Sequence, residues 1–226
     1  MLLKRSAIGL CVVGIAALTA GTAKAVSMTT LLAGGPDAMI VVGNTVYSNF
    51  TYGGTTPASS VVVTSAVDGS GVQRLSFTTT TNGWTTPTGS SQIGYDLTVT
   101  GNTIQSVGLG FTATASGGAA AYVGETITDT ATHKDYSLQV FTDGTGGLAD
   151  NTTDSVIIDP ASATLHILKS IDVATPGDGG TATITLVDNT YTQTPSGAQP
   201  GVPEPMTLAL LPLALAGLGL RKKLSK

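Results

Sequence analysis

Hydrophobic and polar residues alternate with a period of two along much of this chain. Ile93, Tyr95, Leu97 and Val99 are interleaved with Gly94, Asp96 and Thr98, and Val107, Leu109, Phe111 and Ala113 with Gly108, Gly110 and Thr112. Tyr136, Leu138 and Val140 alternate with Ser137 and Gln139, and Ala182, Ile184 and Leu186 with Thr183 and Thr185. Such a period sends one set of side chains to a core face and the other to water, as in a half-buried strand. Further strands are expected at Met39–Val42, Thr45–Tyr52, Ser60–Val67, Val72–Thr79, Tyr122–Thr128, Ser155–Ile158 and Thr164–Val173. Within the last of these the alternation slips near Leu168–Lys169, where a bulge would reset the register.

Turn chemistry separates the runs: Gly53-Gly54, Asp68-Gly69-Ser70-Gly71, Gly101-Asn102, Gly117-Gly118, Asp143-Gly144 and Asp159-Pro160. Thr and Val dominate the middle, and both favour pleated, half-buried surfaces. No helical period and no exact repeat interrupts the pattern. The expectation is an all-β, antiparallel β-sandwich of about 8–11 strands. It would occupy residues 26–191, with a linker over 192–202 marked by Pro195, Gly197, Pro200 and Gly201.

The two ends read differently. Lys4 and Arg5 precede an apolar run from Ala7 to Leu18, and Ala23-Lys24-Ala25 supplies small residues at the −3 and −1 positions of a cut after Ala25. This is the form of a secretory signal peptide, spanning residues 1–25, and the run is shorter than the ~20 residues of a membrane span. At the other end, over residues 203–226, Pro203-Glu204-Pro205 is followed by the uncharged segment Met206–Leu220 and then Arg221-Lys222-Lys223. As a helix that segment would reach ~22 Å, short of a ~30 Å hydrocarbon core, and Pro212 interrupts it. The basic cluster is expected to stay cytoplasmic.

This three-part tail resembles the PEP-CTERM sorting signal of exported Gram-negative bacterial proteins. The resemblance rests on Pro203, Glu204 and Pro205, the apolar segment, and Arg221, Lys222 and Lys223. It implies recognition by an exosortase, membrane residence through the C-terminal helix before cleavage near the motif, and release to the cell surface or matrix. It also implies association with exopolysaccharide or biofilm. Signal peptidase would be the second processing partner. The body further resembles members that end in a Gln-Thr-Pro run, here Gln193-Thr194-Pro195.

Charge sharpens this division. Residues 26–200 hold three basic residues, Arg74, Lys134 and Lys169, against thirteen acidic ones, a net −10 where the whole chain carries −4. A surface this acidic repels phosphate backbones, which excludes nucleic acid as a partner. The sole cysteine, Cys11, lies in the N-terminal apolar run, so no disulfide is expected in the mature chain.

Candidate chemistry is sparse. His133 and His166 lack the short spacing of a zinc site and read as surface histidines. Asp143, Asp150 and Asp154 cluster in a Gly-rich loop whose oxygens could hold calcium, although the spacing matches neither the EF-hand nor the glycine-rich nonapeptide pattern and solvated turn carboxylates are the default. Trp84 could stack on a sugar face, or could cap one end of the sandwich, which its size favours. There is no Gly-x-Ser-x-Gly elbow and no phosphate loop. The expectation is therefore a non-catalytic exported surface or matrix protein without a cofactor. An exopolysaccharide-binding module is the alternative, and a glycan hydrolase a more distant one.

Overall fold

The alternation builds two facing sheets. The computed structural model describes residues 24–196 apart from 35–37, 82, 88, 148 and 176–178. Residues 1–23 of the expected signal peptide and the C-terminal apolar helix with its sorting motif therefore lie outside the described residues, and with them Ala23, Pro203, Glu204, Pro205, Arg221, Lys222 and Lys223.

The strands are β1 (Lys24–Ser27), β2 (Ile40–Val42), β3 (Thr45–Gly54), β4 (Val61–Val67), β5 (Gln73–Thr79), β6 (Trp84–Thr85) and β7 (Ser91–Val99). They continue with β8 (Asn102–Ser116), β9 (Ala120–Asp129), β10 (Asp135–Asp143), β11 (Thr153–Ser162), β12 (Thr164–Ala174) and β13 (Thr181–Pro195). One sheet has seven strands in the order β1-β4-β5-β13-β8-β11, with β6 also pairing β13; the other has six, in the order β10-β9-β12-β7-β3-β2. Every pairing is antiparallel. The all-β sandwich is as the alternation predicts, and the two strands beyond the expected range are β1 and the two-residue β6. A short helix, α1 (Met28–Leu32), is capped by Ser27, whose hydroxyl accepts from the Thr30 N–H at 3.2 Å, and it tucks Met28 and Leu31 into the core.

Each sheet turns one set of side chains inward. On β12, Leu165, Ile167, Lys169, Ile171 and Val173 face the interior, while His166, Leu168, Ser170 and Asp172 face out. The expected bulge at Leu168–Lys169 does not occur. The strand pairs with both neighbours without a break, Lys169 opposite Ile93 and Glu125. The alternation holds because an inward lysine is tolerated where a carboxylate lies beside it. The irregularity falls instead on β3, between Ser48 and Thr51, where Asn49 adopts a φ of 53° and donates to Asp96 Oδ2 at 2.6 Å.

Two boundaries also differ from expectation. Strand β13 runs on to Pro195, so Thr192–Pro195 belong to the sheet rather than to a linker. Gln193 holds them there: its Nε2 donates to Thr45 at 2.8 Å, and its Oε1 accepts from Asn44 at 3.0 Å and Asn102 at 3.1 Å. At the other end Ala25 pairs with Thr64 and Val26 with Val63, so a cut after Ala25 falls inside β1.

The β9–β10 hairpin is closed by Asp129. Its Oδ1 accepts from the Ala131 N–H at 2.9 Å and from Ser162 at 2.8 Å, and its Oδ2 from Thr132 at 2.6 Å. Burial pushes this carboxyl upward, but the hydrogen bonds, Thr132's foremost, outweigh it and hold it below its ordinary 3.8. A carboxyl with a depressed folded-state pKa contributes stability above its unfolded value and loses it as the pH falls through the folded one. Urea midpoints measured between neutral pH and pH ~2 should therefore fall more steeply below pH ~4 in the wild type than in Asp129→Asn. Parallel curves would remove Asp129 from the acid transition.

Candidate functional site

The outer face of the six-stranded sheet carries a groove of about 630 Å³ across β10, β9, β12 and β7. Its floor is low because Gly124 on β9 has no side chain. The Tyr122 ring leans into the space, close enough that a Cβ on Gly124 would come within 2.7 Å of the phenol oxygen. Tyr122 and Leu168 remain 39% and 37% exposed and contribute apolar surface to its lining. Gln92, Gln139, Ser170 and Asp172 bring amides, a hydroxyl and a carboxylate alongside it, and no basic side chain lines the groove among the described residues. The edge at β10 is finished by Asp154, whose Oδ2 accepts from the Gln139 N–H at 2.9 Å.

Of the residues singled out in the sequence as candidate chemistry, Asp154 lines this groove and Trp84, Asp143, Asp150, His133 and His166 do not. Trp84 is fully buried, and its indole N–H donates to Ser91 at 3.0 Å. Neither of its faces can meet a sugar, so the stacking role is replaced by that of a core cap. Asp143 accepts from the Thr145 N–H at 2.9 Å, Asp150 from the Asp143 N–H at 3.0 Å, and Asp154 from Gln139 and from Ser155 at 2.8 Å. Because these oxygens are engaged by the loop's own donors they do not converge, and among the described residues no group of three His, Cys, Asp or Glu could hold a metal ion. The calcium reading of Asp143, Asp150 and Asp154 is thus replaced by one of turn and edge acceptors. His133 occupies the β9–β10 turn at a φ of 57°. His166 stands on the outer face with its Nδ1 2.6 Å from Asp96 Oδ1.

A second constellation lies between the sheets. Lys169 on β12 has no exposed surface and contacts Glu125 Oε2 of neighbouring β9 directly. From the facing sheet Asn189 on β13 donates its Nδ2 to both Glu125 oxygens at 3.0 Å, and to the Gly108 carbonyl at 3.2 Å. Those acceptors turn the amide so that Asn189 Oδ1 receives the Tyr95 hydroxyl at 3.0 Å, and Tyr191 stands 2.5 Å behind Tyr95. Burial pushes Lys169 well below the ordinary lysine range, with the Asp188 charge opposing it in part. Burial likewise raises Tyr95 and Tyr191 well above the usual phenol range, so both remain donors.

Sequence reasoning passed over this cluster, although a signal existed. Lys169 and Glu125 both sit at inward positions of alternating strands, and two opposite charges at core positions call for one another. The role of Asn189 depends on how the sheets face, which no local pattern encodes.

Removing one member of a buried pair strands the other. Glu125→Ala should therefore lower the unfolding free energy by about 3–5 kcal/mol, whereas His166→Ala, breaking an exposed pair, should cost under about 1 kcal/mol. Urea unfolding followed by circular dichroism reads both, and equal small losses would mean that the buried contact carries no weight.

No family model matches the chain, and no curated protein does. Among solved structures it is similar to the carbohydrate-binding module TmCBM61 in complex with β-1,4-galactotriose, at 13% identity and a TM-score of 0.32, over 64% of this chain and 90% of that one. It is also similar to a structure described as that of promiscuous carbohydrate-binding modules of the β-sandwich superfamily, at 12% identity and a TM-score of 0.25, over 64% and 56%. A third is the enzymatically active domain of tailspike protein 4 from bacteriophage CBA120, at 14% identity and a TM-score of 0.24, over 66% and 19%. Values this low carry neither ligand nor reaction to this chain.

Proposed function

We propose that this is an exported, non-catalytic β-sandwich that binds a neutral polysaccharide of the cell surface or matrix along the outer groove of its six-stranded sheet. The carrying observation is the composition of that groove: an exposed Tyr122 ring and Leu168 side by side with amides, a hydroxyl and a carboxylate. A sugar ring offers an apolar C–H face and a rim of hydroxyls. An aromatic face takes the first, and Gln and Asp side chains take the second. The volume falls within the usual range for ligand sites, ~300–1,000 Å³. The sign of the rim favours an uncharged glycan, because Asp172 and Asp154 would repel a polyuronate.

Binding of purified exopolysaccharides, measured by affinity electrophoresis or calorimetry, tests this. Tyr122→Ala should weaken binding roughly ten-fold, the equivalent of one aromatic contact of ~1.4 kcal/mol. Gly124→Ala should do likewise by displacing the Tyr122 ring, which is the mobile end of a side chain, at little cost in stability. Trp84→Ala, by contrast, should lower stability and leave the affinity of the folded fraction unchanged. No binding to any neutral glycan, or no effect of either groove variant, would overturn the proposal.

Export and sorting rest on the two terminal signals. The mature species recovered from the envelope or matrix should lack both, and intact mass reports the two cuts together. Retention of Met206–Lys226 on the mature protein would remove the exosortase step while leaving glycan binding in place.

A further inference from the structure

Lys169, Glu125 and Asn189 place an amine, a carboxylate and a carboxamide around one point in the core. Lys169 Nζ and Asn189 Nδ2 both contact Glu125 Oε2, so one carboxylate oxygen gathers the amine and the carboxamide it would attack. The site is dry: Lys169 and Asn189 have no exposed surface, and Phe77, Tyr95 and Tyr191 are equally enclosed. The geometry points to an intramolecular isopeptide bond between Lys169 Nζ and Asn189 Cγ, formed within the folded domain with Glu125 as the proton carrier.

Each participant has one task. Glu125 takes a proton from the Lys169 ammonium, leaving a neutral amine, the form that apolar surroundings favour. The Nζ lone pair adds to Asn189 Cγ, and negative charge gathers on Oδ1. The Tyr95 hydroxyl already donates to that oxygen, with Tyr191 behind it, so the charge develops against a placed donor. Glu125 then passes its proton to Nδ2 and receives one from Nζ. As the Cγ–Nδ2 bond breaks, ammonia leaves and the carbonyl re-forms. One amine and one carboxamide become one secondary amide and one ammonia; nothing is oxidised or reduced, and no co-reactant is consumed. Folding supplies the proximity, because Lys169 and Glu125 come from adjacent strands of one sheet and Asn189 from the opposite sheet.

The bond would join β12 to β13 and so staple the two sheets together. It would do so in a chain whose sole cysteine, Cys11, lies in the N-terminal apolar run. A permanent ion pair at the same place would carry the full desolvation cost of two charges. The amide removes the lysine charge altogether.

Trypsin provides the test on the folded, purified full chain, digested after denaturation. Residues 135–220 contain a single tryptic site, Lys169. In a linked chain that cut is blocked, and the fragment beginning at Asp135 runs past Asn189 with a mass lower by one ammonia. Tandem mass spectrometry should then place the junction at Lys169 and Asn189. Asn189→Ala and Glu125→Gln should each restore the cut and the sequence mass. The wild-type fragment decides the matter even if a variant fails to fold. Efficient cleavage after Lys169 in the wild type would overturn the proposal. So would an ammonia loss mapped to another residue, or a loss of water joining Lys169 to Glu125.

Discussion

The contact on which the rest of the sandwich depends is that between Lys169 and Glu125, two opposite charges with essentially no access to water. A charge inside a β-sandwich is tolerated only when its partner and their remaining hydrogen-bonding capacity are supplied from nearby strands. Here β12 and β9 supply the charges, β13 supplies Asn189, and β7 adds the Tyr95 hydroxyl. Four strands from both sheets are thereby held to one relative position. A one-residue slip of β12 would send Lys169 to water and bring Leu168 and Ser170 into the core, leaving Glu125 without its partner. Register, facing and sheet-to-sheet alignment thus share one polar determinant, where purely apolar packing would leave more freedom.

That same register fixes the outer face. With Lys169 inward, Leu168, Ser170 and Asp172 must point outward, beside Tyr122 and Gly124 of β9 and Gln92 of β7. The groove and the buried cluster are two sides of the same strands. The acidic balance of the body follows this partition. Of its three basic residues, Lys169 is consumed in the core and Arg74 contacts Asp188, while Lys134 Nζ donates to the Asp159 carbonyl at 2.7 Å. The remaining surface is left predominantly negative, and the groove takes its sign from it.

Much of the fold was legible in the sequence because period-two alternation is a local signal, and each of the eleven expected strands has its counterpart among β2–β5 and β7–β13. What escaped notice was either too short or not local. The two-residue β6 has no period to show, and of the two roles the sequence left open to its Trp84 the buried indole, bonded to Ser91, takes the cap. Lys169 was legible as an anomaly but was assigned to a bulge, since a lone strand gives no hint of the carboxylate next door. The groove was harder still. Tyr122 is an ordinary strand tyrosine until Gly124, two positions on, and Asp172, opposite it on β12, are known to lie beside it. A surface assembled from several strands leaves no motif.

The position of Asn189 has a mechanical consequence. It sits on β13, the last strand before the tail, which pairs along its length with β8 and on its other edge with β5 and β6. Tension applied through the C-terminal segment meets first the two bonds of Ser196 to the Gly101 carbonyl and then the pairing of Pro195, Thr194, Gln193 and Thr192 with β8. Such bonds can break in succession when a strand is pulled from its end. Asn189 lies just beyond the core residue Tyr191 on this path, so the amide proposed from it to Lys169 would stop the unzipping there and pass the load to β12 in the other sheet. Of the strands that meet at the buried cluster, β13 is thus the one through which such a bond would carry load from the C-terminal segment.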